Sequence, residues 1–65
     1  MMVKMRFDGL LFVGLSLEQI ADVEYHADGC TILKDESGGV QVSGKPSDLY
    51  SLLYKLTVIY DLELM

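Results

Sequence analysis

The sequence predicts a small α+β domain: a small antiparallel β-sheet of three to five strands, a short helix near 17–22 and a C-terminal helix near 47–60 packed on one face. Three observations predict this fold class. Apolar and charged residues alternate over 3–8, which is the period of a half-buried strand. Residues 16–19 form a helix-capping motif, and leucines recur at helical spacing in the last third of the chain. A chain of 65 residues suffices for a single domain, 1–65.

The N-terminal segment predicts a β-hairpin. Asp8-Gly9 is typical of a tight turn, because glycine supplies the positive φ that such turns need. The strand before it alternates, whereas Leu10–Val13 is apolar on both faces and is expected to be central in the sheet or to meet another chain. The alternative is one long bent strand over 3–13 with Gly9 as a bulge.

The first helix is predicted from its N-terminal cap. Ser16 and Gln19 have the spacing of a capping box, and Leu15 is placed to pack against Ile20. These signals predict a helix over about 17–22.

The middle of the chain predicts two further hairpins. Residues 23–26 and 30–34 have strand-like composition, and the Asp-Gly pair within 27–29 is expected to join them by a tight turn. A second turn at 35–39 then leads into a strand at 40–43.

The C-terminal helix is the element with the clearest pattern. Residues 44–46 end the sheet, and Ser47 or Asp48 is expected to cap the helix. The expected core-facing stripe consists of Leu49, Leu52, Leu53, Leu56 and Tyr60. Residues 57–65 also alternate like a strand, but no glycine or proline interrupts the pattern, which favours helix to about residue 60.

The net charge of −5 arises from one acidic stretch, residues 18–36. Its charged residues are Glu18, Asp22, Glu24, Asp28, Asp35 and Glu36 against Lys34. We expect an acidic face formed by Asp22, Glu24, Asp28, Asp35 and Glu36, which would repel phosphate backbones and attract basic proteins. The five basic residues are scattered, so direct binding to nucleic acid is not expected.

The sequence offers little for a metal site. Asp22, Glu24, His26 and Asp28 are spaced by two, so on a strand they would share one face. Such side chains form a flat row rather than a cage, and the row is interpreted as a solvated face. We therefore expect no functional metal.

Enzymatic activity is not expected either. No nucleophile and base have a spacing that suggests a pair, and a chain of this size has little room for a desolvated cleft. Residues 39–47 resemble a phosphate-binding loop, but Pro46 follows Lys45 where such a loop needs serine or threonine. No catalytic residue, cofactor or small-molecule substrate is therefore predicted.

Cellular location is predicted from cysteine usage and hydropathy. Cys30 is the only cysteine, so no disulfide can form within the chain, which indicates a reducing, cytoplasmic environment. No apolar run approaches the about 20 residues needed to span a bilayer, so no membrane partner is expected.

A second stripe on the C-terminal helix is the candidate functional surface. Tyr50, Tyr54 and Val58 recur every four residues on a side away from the leucines. Tyrosine is enriched at interface centres, so these residues, with Leu11 and Val13, are the predicted partner-binding set. The chain is interpreted as a small acidic protein–protein interaction module, a regulator or inhibitor that binds a protein partner or forms a homodimer. The alternative is an acidic nucleic-acid mimic that blocks a DNA- or RNA-binding protein.

Overall fold

The computed structural model describes residues 1–64 and confirms an α+β fold. The elements in chain order are β1 (Met2–Arg6), β2 (Gly9–Val13), α1 (Leu17–His26), β3 (Thr31–Lys34), β4 (Val40–Ser43), α2 (Pro46–Ile59) and β5 (Glu63–Leu64). The strands form one sheet in the order β3-β4-β2-β1-β5. Every neighbouring pair is antiparallel except β1 and β5, so the sheet is mixed rather than purely antiparallel.

The hydrophobic core lies between one face of the sheet and both helices. Its buried members are Val3, Leu10, Phe12, Val23, Ala27, Val40, Val42, Leu52 and Leu56. The strand register places Phe12 on the central strand, directly between Val3 and Val40. Because α1 and α2 both contribute to this cluster, they cover the same face, as predicted for the C-terminal helix. The opposite face of the sheet carries no helix within residues 1–64.

The N-terminal segment is a hairpin, and the alternative of one bent strand is wrong. Arg6 pairs with Gly9, so the turn consists of Phe7 and Asp8, one residue earlier than predicted. Gly9 therefore belongs to β2 and does not supply a positive φ to the turn. Its lack of a side chain serves another purpose: a Cβ at this position would overlap the backbone carbonyl oxygen of Val42 in β4.

Helix α1 is longer than predicted, and the strand expected at 23–26 is wrong. Ile20, Val23 and Ala27 recur at helical spacing and pack into the core, so burial of this stripe outweighs the strand propensity of the segment. The turn expected to join two strands at 27–29 instead connects α1 to β3. Gly29, two residues after the C-cap Ala27, has a φ of 79° and lies in a turn closed by a hydrogen bond from the Cys30 amide to the Ala27 carbonyl, which redirects the chain. The turn at 35–39 and strand β4 are where the sequence predicts them.

Helix α2 begins at Pro46, before either of the predicted caps. Lys45 is the N-cap and makes no side-chain capping bond, while Ser47 and Asp48 lie within the first turn. Proline fits this first helical position because its φ is already helical and its missing N–H has no partner there. The helix ends at Ile59, close to the predicted end, and the part of the C-terminal prediction that concerns residue 65 lies outside the described residues.

The predicted stripe on α2 is buried unevenly. Leu52 and Leu56 are completely buried, whereas Leu49, Leu53 and Tyr60 are partly buried at the border of the core. Leu53 is therefore a boundary residue rather than a core residue, a difference that bears on the functional site.

The capping box of α1 leads to a stability prediction. The Ser16 hydroxyl accepts a hydrogen bond from the Gln19 amide at 3.2 Å, and the Gln19 side chain accepts one from the Ser16 amide at 2.8 Å. We expect Ser16→Ala to lower the free energy of unfolding by about 1 kcal/mol in chemical denaturation. Ser47→Ala is the matched control, because Ser47 is exposed and makes no cap, and it should change stability by less than about 0.5 kcal/mol. Equal effects of the two substitutions would contradict this assignment of the caps.

Candidate functional site

An open groove lies between the turn of the β1–β2 hairpin and the N-terminal half of α2. It has a volume of about 330 Å³. Its apolar lining consists mainly of Met5, Phe7, Leu10, Leu49, Tyr50 and Leu53. Leu10 is buried, and Leu49 and Leu53 are partly buried, so these three form the floor. The side chains of Met5, Phe7 and Tyr50 form an exposed apolar rim around it.

The hairpin explains why this rim faces solvent. Met5 pairs with Leu10 and therefore lies on the helix-covered face of the sheet, yet 54% of its surface is exposed because the helices leave this end of β1 uncovered. Phe7 is in the two-residue turn and is fully exposed. The predicted partner-binding set includes neither residue, because the turn was expected at Asp8-Gly9 and Phe7 was assigned to the preceding strand. The available signal for an exposed Phe7 was its position next to Asp8, because aspartate is typical of turns.

The predicted tyrosine stripe is on the surface of α2. Tyr50, Tyr54 and Val58 are 64%, 73% and 70% exposed. Tyr50 lines the groove, whereas Tyr54 and Val58 continue along the helix beyond it. Leu53, which the sequence assigns to the core stripe, joins Tyr50 in the groove lining. The part of the stripe that belongs to a concave surface is therefore its N-terminal end.

Leu11 and Val13 lie elsewhere. They alternate with the buried Leu10 and Phe12 on β2, so their side chains are on the open face of the sheet, opposite the helices. Both are partly exposed. The predicted partner-binding set is thus divided between two sides of the sheet, and a single flat contact would not include both parts.

The expected row of Asp22, Glu24, His26 and Asp28 on one strand face is wrong, because residues 17–26 are helical. Asp22 and Glu24 contact different elements: the Asp22 carboxylate accepts a hydrogen bond from the Tyr60 hydroxyl at the end of α2, and Glu24 forms an ion pair with Lys34 of β3 at 3.1 Å. The bond to Asp22 and burial together raise the pKa of Tyr60 to about 12. The first contact links α1 to the end of α2, and the second links α1 to β3.

The other acidic residues lie on either side of β3. Asp28 is in the exposed connection before β3, and Asp35 and Glu36 are in the turn after it. The Asp35 carboxylate accepts hydrogen bonds from the Ser37 hydroxyl at 2.6 Å and from the amides of Ser37 and Gly39, each at 2.9 Å. These bonds lower the pKa of Asp35, and the bond from the Ser37 hydroxyl makes the largest contribution. Asp35 therefore stabilises its own turn.

Cys30 and His26 do not line the groove. Cys30 is partly buried, and burial followed by the nearby carboxylates of Asp48 and Asp28 raises the pKa of its thiol, which disfavours the nucleophilic thiolate. His26 contacts the ring of Tyr25 edge to face at 5.0 Å. No group of three or more His, Cys, Asp or Glu side chains in this range could hold a metal ion. Neither helix in this range has the length and apolar character needed to cross a membrane.

Comparison with known proteins gives no relative. No protein-family model matches the chain, and searches of curated proteins and of solved structures found no significant match. The groove and the charged residues described above are therefore the features that bear on function.

Proposed function

We propose that this chain is a small protein–protein interaction module that acts as a regulator or inhibitor by binding another protein at the groove between the β1–β2 hairpin and α2. One observation carries the proposal. Met5, Phe7 and Tyr50 are exposed around an apolar floor.

The exposure of Phe7 is the strongest part of this observation. A fully exposed phenylalanine adds nothing to the core, whereas burying such a side chain contributes about 1.5–3 kcal/mol. A partner that covers Phe7 and Tyr50 gains this contribution, and rigid aromatic side chains lose little conformational entropy on binding. The apolar floor of Leu10, Leu49 and Leu53 gives the partner a concave surface to fill.

A second copy of the chain is one candidate partner, and a homodimer remains part of the proposal. A cytoplasmic location is proposed as well, since the lone thiol of Cys30 needs no oxidising compartment. Sedimentation equilibrium over micromolar to near-millimolar concentrations would measure self-association. A monomer throughout this range would remove the dimer from the proposal and leave a different protein as the partner.

The acidic nucleic-acid mimic is the alternative function. The side chains of Asp28 and Glu36 are exposed and make no hydrogen bond or ion pair within residues 1–64, so they are free to meet a basic protein. We favour the groove because Asp22, Glu24 and Asp35 already have partners within the chain. Salt discriminates between the two, since affinity that depends on exposed charges falls steeply as ionic strength rises, while apolar contacts are much less sensitive.

Binding through the groove predicts a specific loss in one tyrosine variant. Tyr50→Ala should weaken partner binding about 30-fold, as truncation of a central aromatic anchor costs about 2 kcal/mol. Tyr25→Ala is the matched control, because Tyr25 is even more exposed than Tyr50, at 78% against 64%, but lies on α1, outside the groove lining. The partner is captured from a lysate of the source organism and its affinity for each variant is measured by calorimetry. If folded Tyr50→Ala and Phe7→Ala variants both bind like the unmodified chain, the groove is not the binding site.

A further inference from the structure

The outer edge of β3 has no neighbouring strand within residues 1–64. β3 is the first strand in the sheet order, and β4 pairs with its inner side only. Leu64, the last described residue, belongs to β5 at the opposite edge of the sheet. With neighbouring strands about 4.8 Å apart, β5 is about 19 Å from β3, so the residue that follows Leu64 cannot reach this edge. An unpaired strand edge is a template for a further strand.

The β3–β4 hairpin shows which backbone groups point to this edge. The Asp35 amide donates a hydrogen bond to the Gly39 carbonyl at 3.0 Å, so the backbone of Asp35 points toward β4. Because the direction alternates along a strand, Leu33 also bonds to β4, whereas the N–H and C=O of Ile32 and Lys34 point outward. Neither Ile32 nor Lys34 takes part in the turn and loop hydrogen bonds of the described chain. Each of them therefore offers one donor and one acceptor to an incoming strand.

The side chains of β3 leave the edge accessible. Leu33 pairs with Gln41 on the open face of the sheet, and 61% of its surface is exposed. Lysine commonly protects a strand edge against further pairing. Lys34, however, lies on the helix-covered face beside Val40, where its ion pair with Glu24 holds the ammonium group toward α1. The edge thus presents outward backbone groups next to an exposed apolar side chain.

Acidic residues at both ends of this edge select the occupant. Asp28 precedes β3, and Asp35 and Glu36 follow it. This arrangement attracts a segment that carries cations. It disfavours a second copy of the chain, because antiparallel pairing of two β3 strands about Ile32 would bring Asp28 of one copy opposite Glu36 of the other.

We infer that β3 is a further docking edge, to which a partner protein adds an extended basic segment antiparallel to β3. On the open face, this segment places an apolar residue opposite Leu33 and a basic residue two positions to either side, toward the acidic ends of the edge. The two intervening residues bond to the backbone of Ile32 and Lys34. This inference goes beyond the proposed function and does not depend on it, because no residue of β3 lines the groove.

Synthetic peptides test the edge, with binding to the purified chain measured by titration of amide resonances. The designed peptide has the core lysine-threonine-leucine-threonine-lysine between glycine-serine flanks. Replacing both threonines by proline keeps the charge but removes the N–H groups that bond to β3, and we expect binding to weaken about tenfold or more. Replacing both lysines by glutamate should weaken binding by a similar factor, about tenfold. The largest shifts are expected at residues 32–34.

Variants of the chain test the same contacts from the other side. Lys34→Pro removes an outward N–H and leaves the bonds to β4 intact, whereas Lys34→Ala loses the same ion pair and keeps this N–H. We expect Lys34→Pro to bind the designed peptide about fivefold more weakly than Lys34→Ala. The doubly charge-reversed chain Asp28→Lys, Glu36→Lys should prefer the glutamate peptide. Thermal unfolding confirms that each variant is folded.

The outcomes separate this inference from the two functions considered above. No binding of the designed peptide, equal binding of the proline peptide, or shifts outside β3 overturns the added strand. Equal binding of the proline peptide that still requires Asp28 and Glu36 would leave charge alone as the attraction, as in the nucleic-acid mimic. Loss of self-association in Lys34→Pro but not in Lys34→Ala would assign the edge to a second copy and overturn the basic segment. The groove is unaffected by any of these results, since Tyr50→Ala tests it separately.

Discussion

Phe12→Ala is expected to lower the free energy of unfolding by about 3–5 kcal/mol, the loss typical of a phenylalanine removed from a packed core. Phe12 is completely buried on the central strand, with Val3 and Val40 on either side. A domain of this length has a total stability of only about 3–10 kcal/mol, so the substitution should remove a large part of it. Chemical denaturation monitored by circular dichroism measures the change.

The other phenylalanine of the chain is the control. Phe7 is fully exposed in the turn between β1 and β2, so Phe7→Ala should change stability by less than about 0.5 kcal/mol. Comparable losses for the two substitutions would contradict the placement of Phe7 outside the core and would remove the main support for the groove as an interface.

Gly9→Ala is expected to cost about 3 kcal/mol for a different reason. The added methyl group would overlap the carbonyl oxygen of Val42, and this oxygen belongs to the backbone of β4, which cannot move without disturbing the pairing of β2 and β4. The free energy of unfolding is again measured by denaturation.

Gly14→Ala separates this overlap from the general effect of replacing a glycine. Gly14 has a φ of 70°, which disfavours alanine, but nothing lies within 4 Å of an added Cβ. Its replacement should cost about 1–2 kcal/mol. A loss for Gly9→Ala no larger than that for Gly14→Ala would show that β2 and β4 do not approach as closely as described.

Elements with strong local signals were predictable from the sequence. The turn at 35–39 combines an aspartate that bonds its own backbone with two glycines, and the leucine stripe of α2 extends over several turns. The capping box of α1 formed as expected, because it needs only Ser16 and Gln19. Each of these features depends on residues close to one another in the chain.

The errors arose where distant contacts decided between two local possibilities. Residues 23–26 have strand-like composition, and only the burial of Val23 and Ala27 against the sheet makes them helical. Strand β5 pairs through two residues with β1, at the other end of the sequence, so the strand-like alternation over 57–65 could not be separated locally from a continued helix. The sequence places Gly9 in a turn, because its close approach to Val42 in β4 arises only in the tertiary structure and leaves no local signal.

The candidate site was predictable only in part for the same reason. Helical periodicity alone predicts that Tyr50, Tyr54 and Val58 are exposed, and all three are exposed in the structure. The groove, however, requires the hairpin to bring Met5 and Phe7 next to α2, and the one-residue error in the turn concealed Phe7. Leu11 and Val13 are likewise separated from the tyrosines because both helices cover the other face of the sheet.

Mapping of amide resonances by nuclear magnetic resonance would show whether a partner binds at the groove. On addition of the captured partner, we expect the largest shifts at residues 4–9 and 49–53, which contain the end of β1, the turn and the groove-lining part of α2. Shifts confined to Asp28 and residues 31–36 would place the partner at the acidic residues around β3 instead. That result would contradict the groove and support the nucleic-acid mimic.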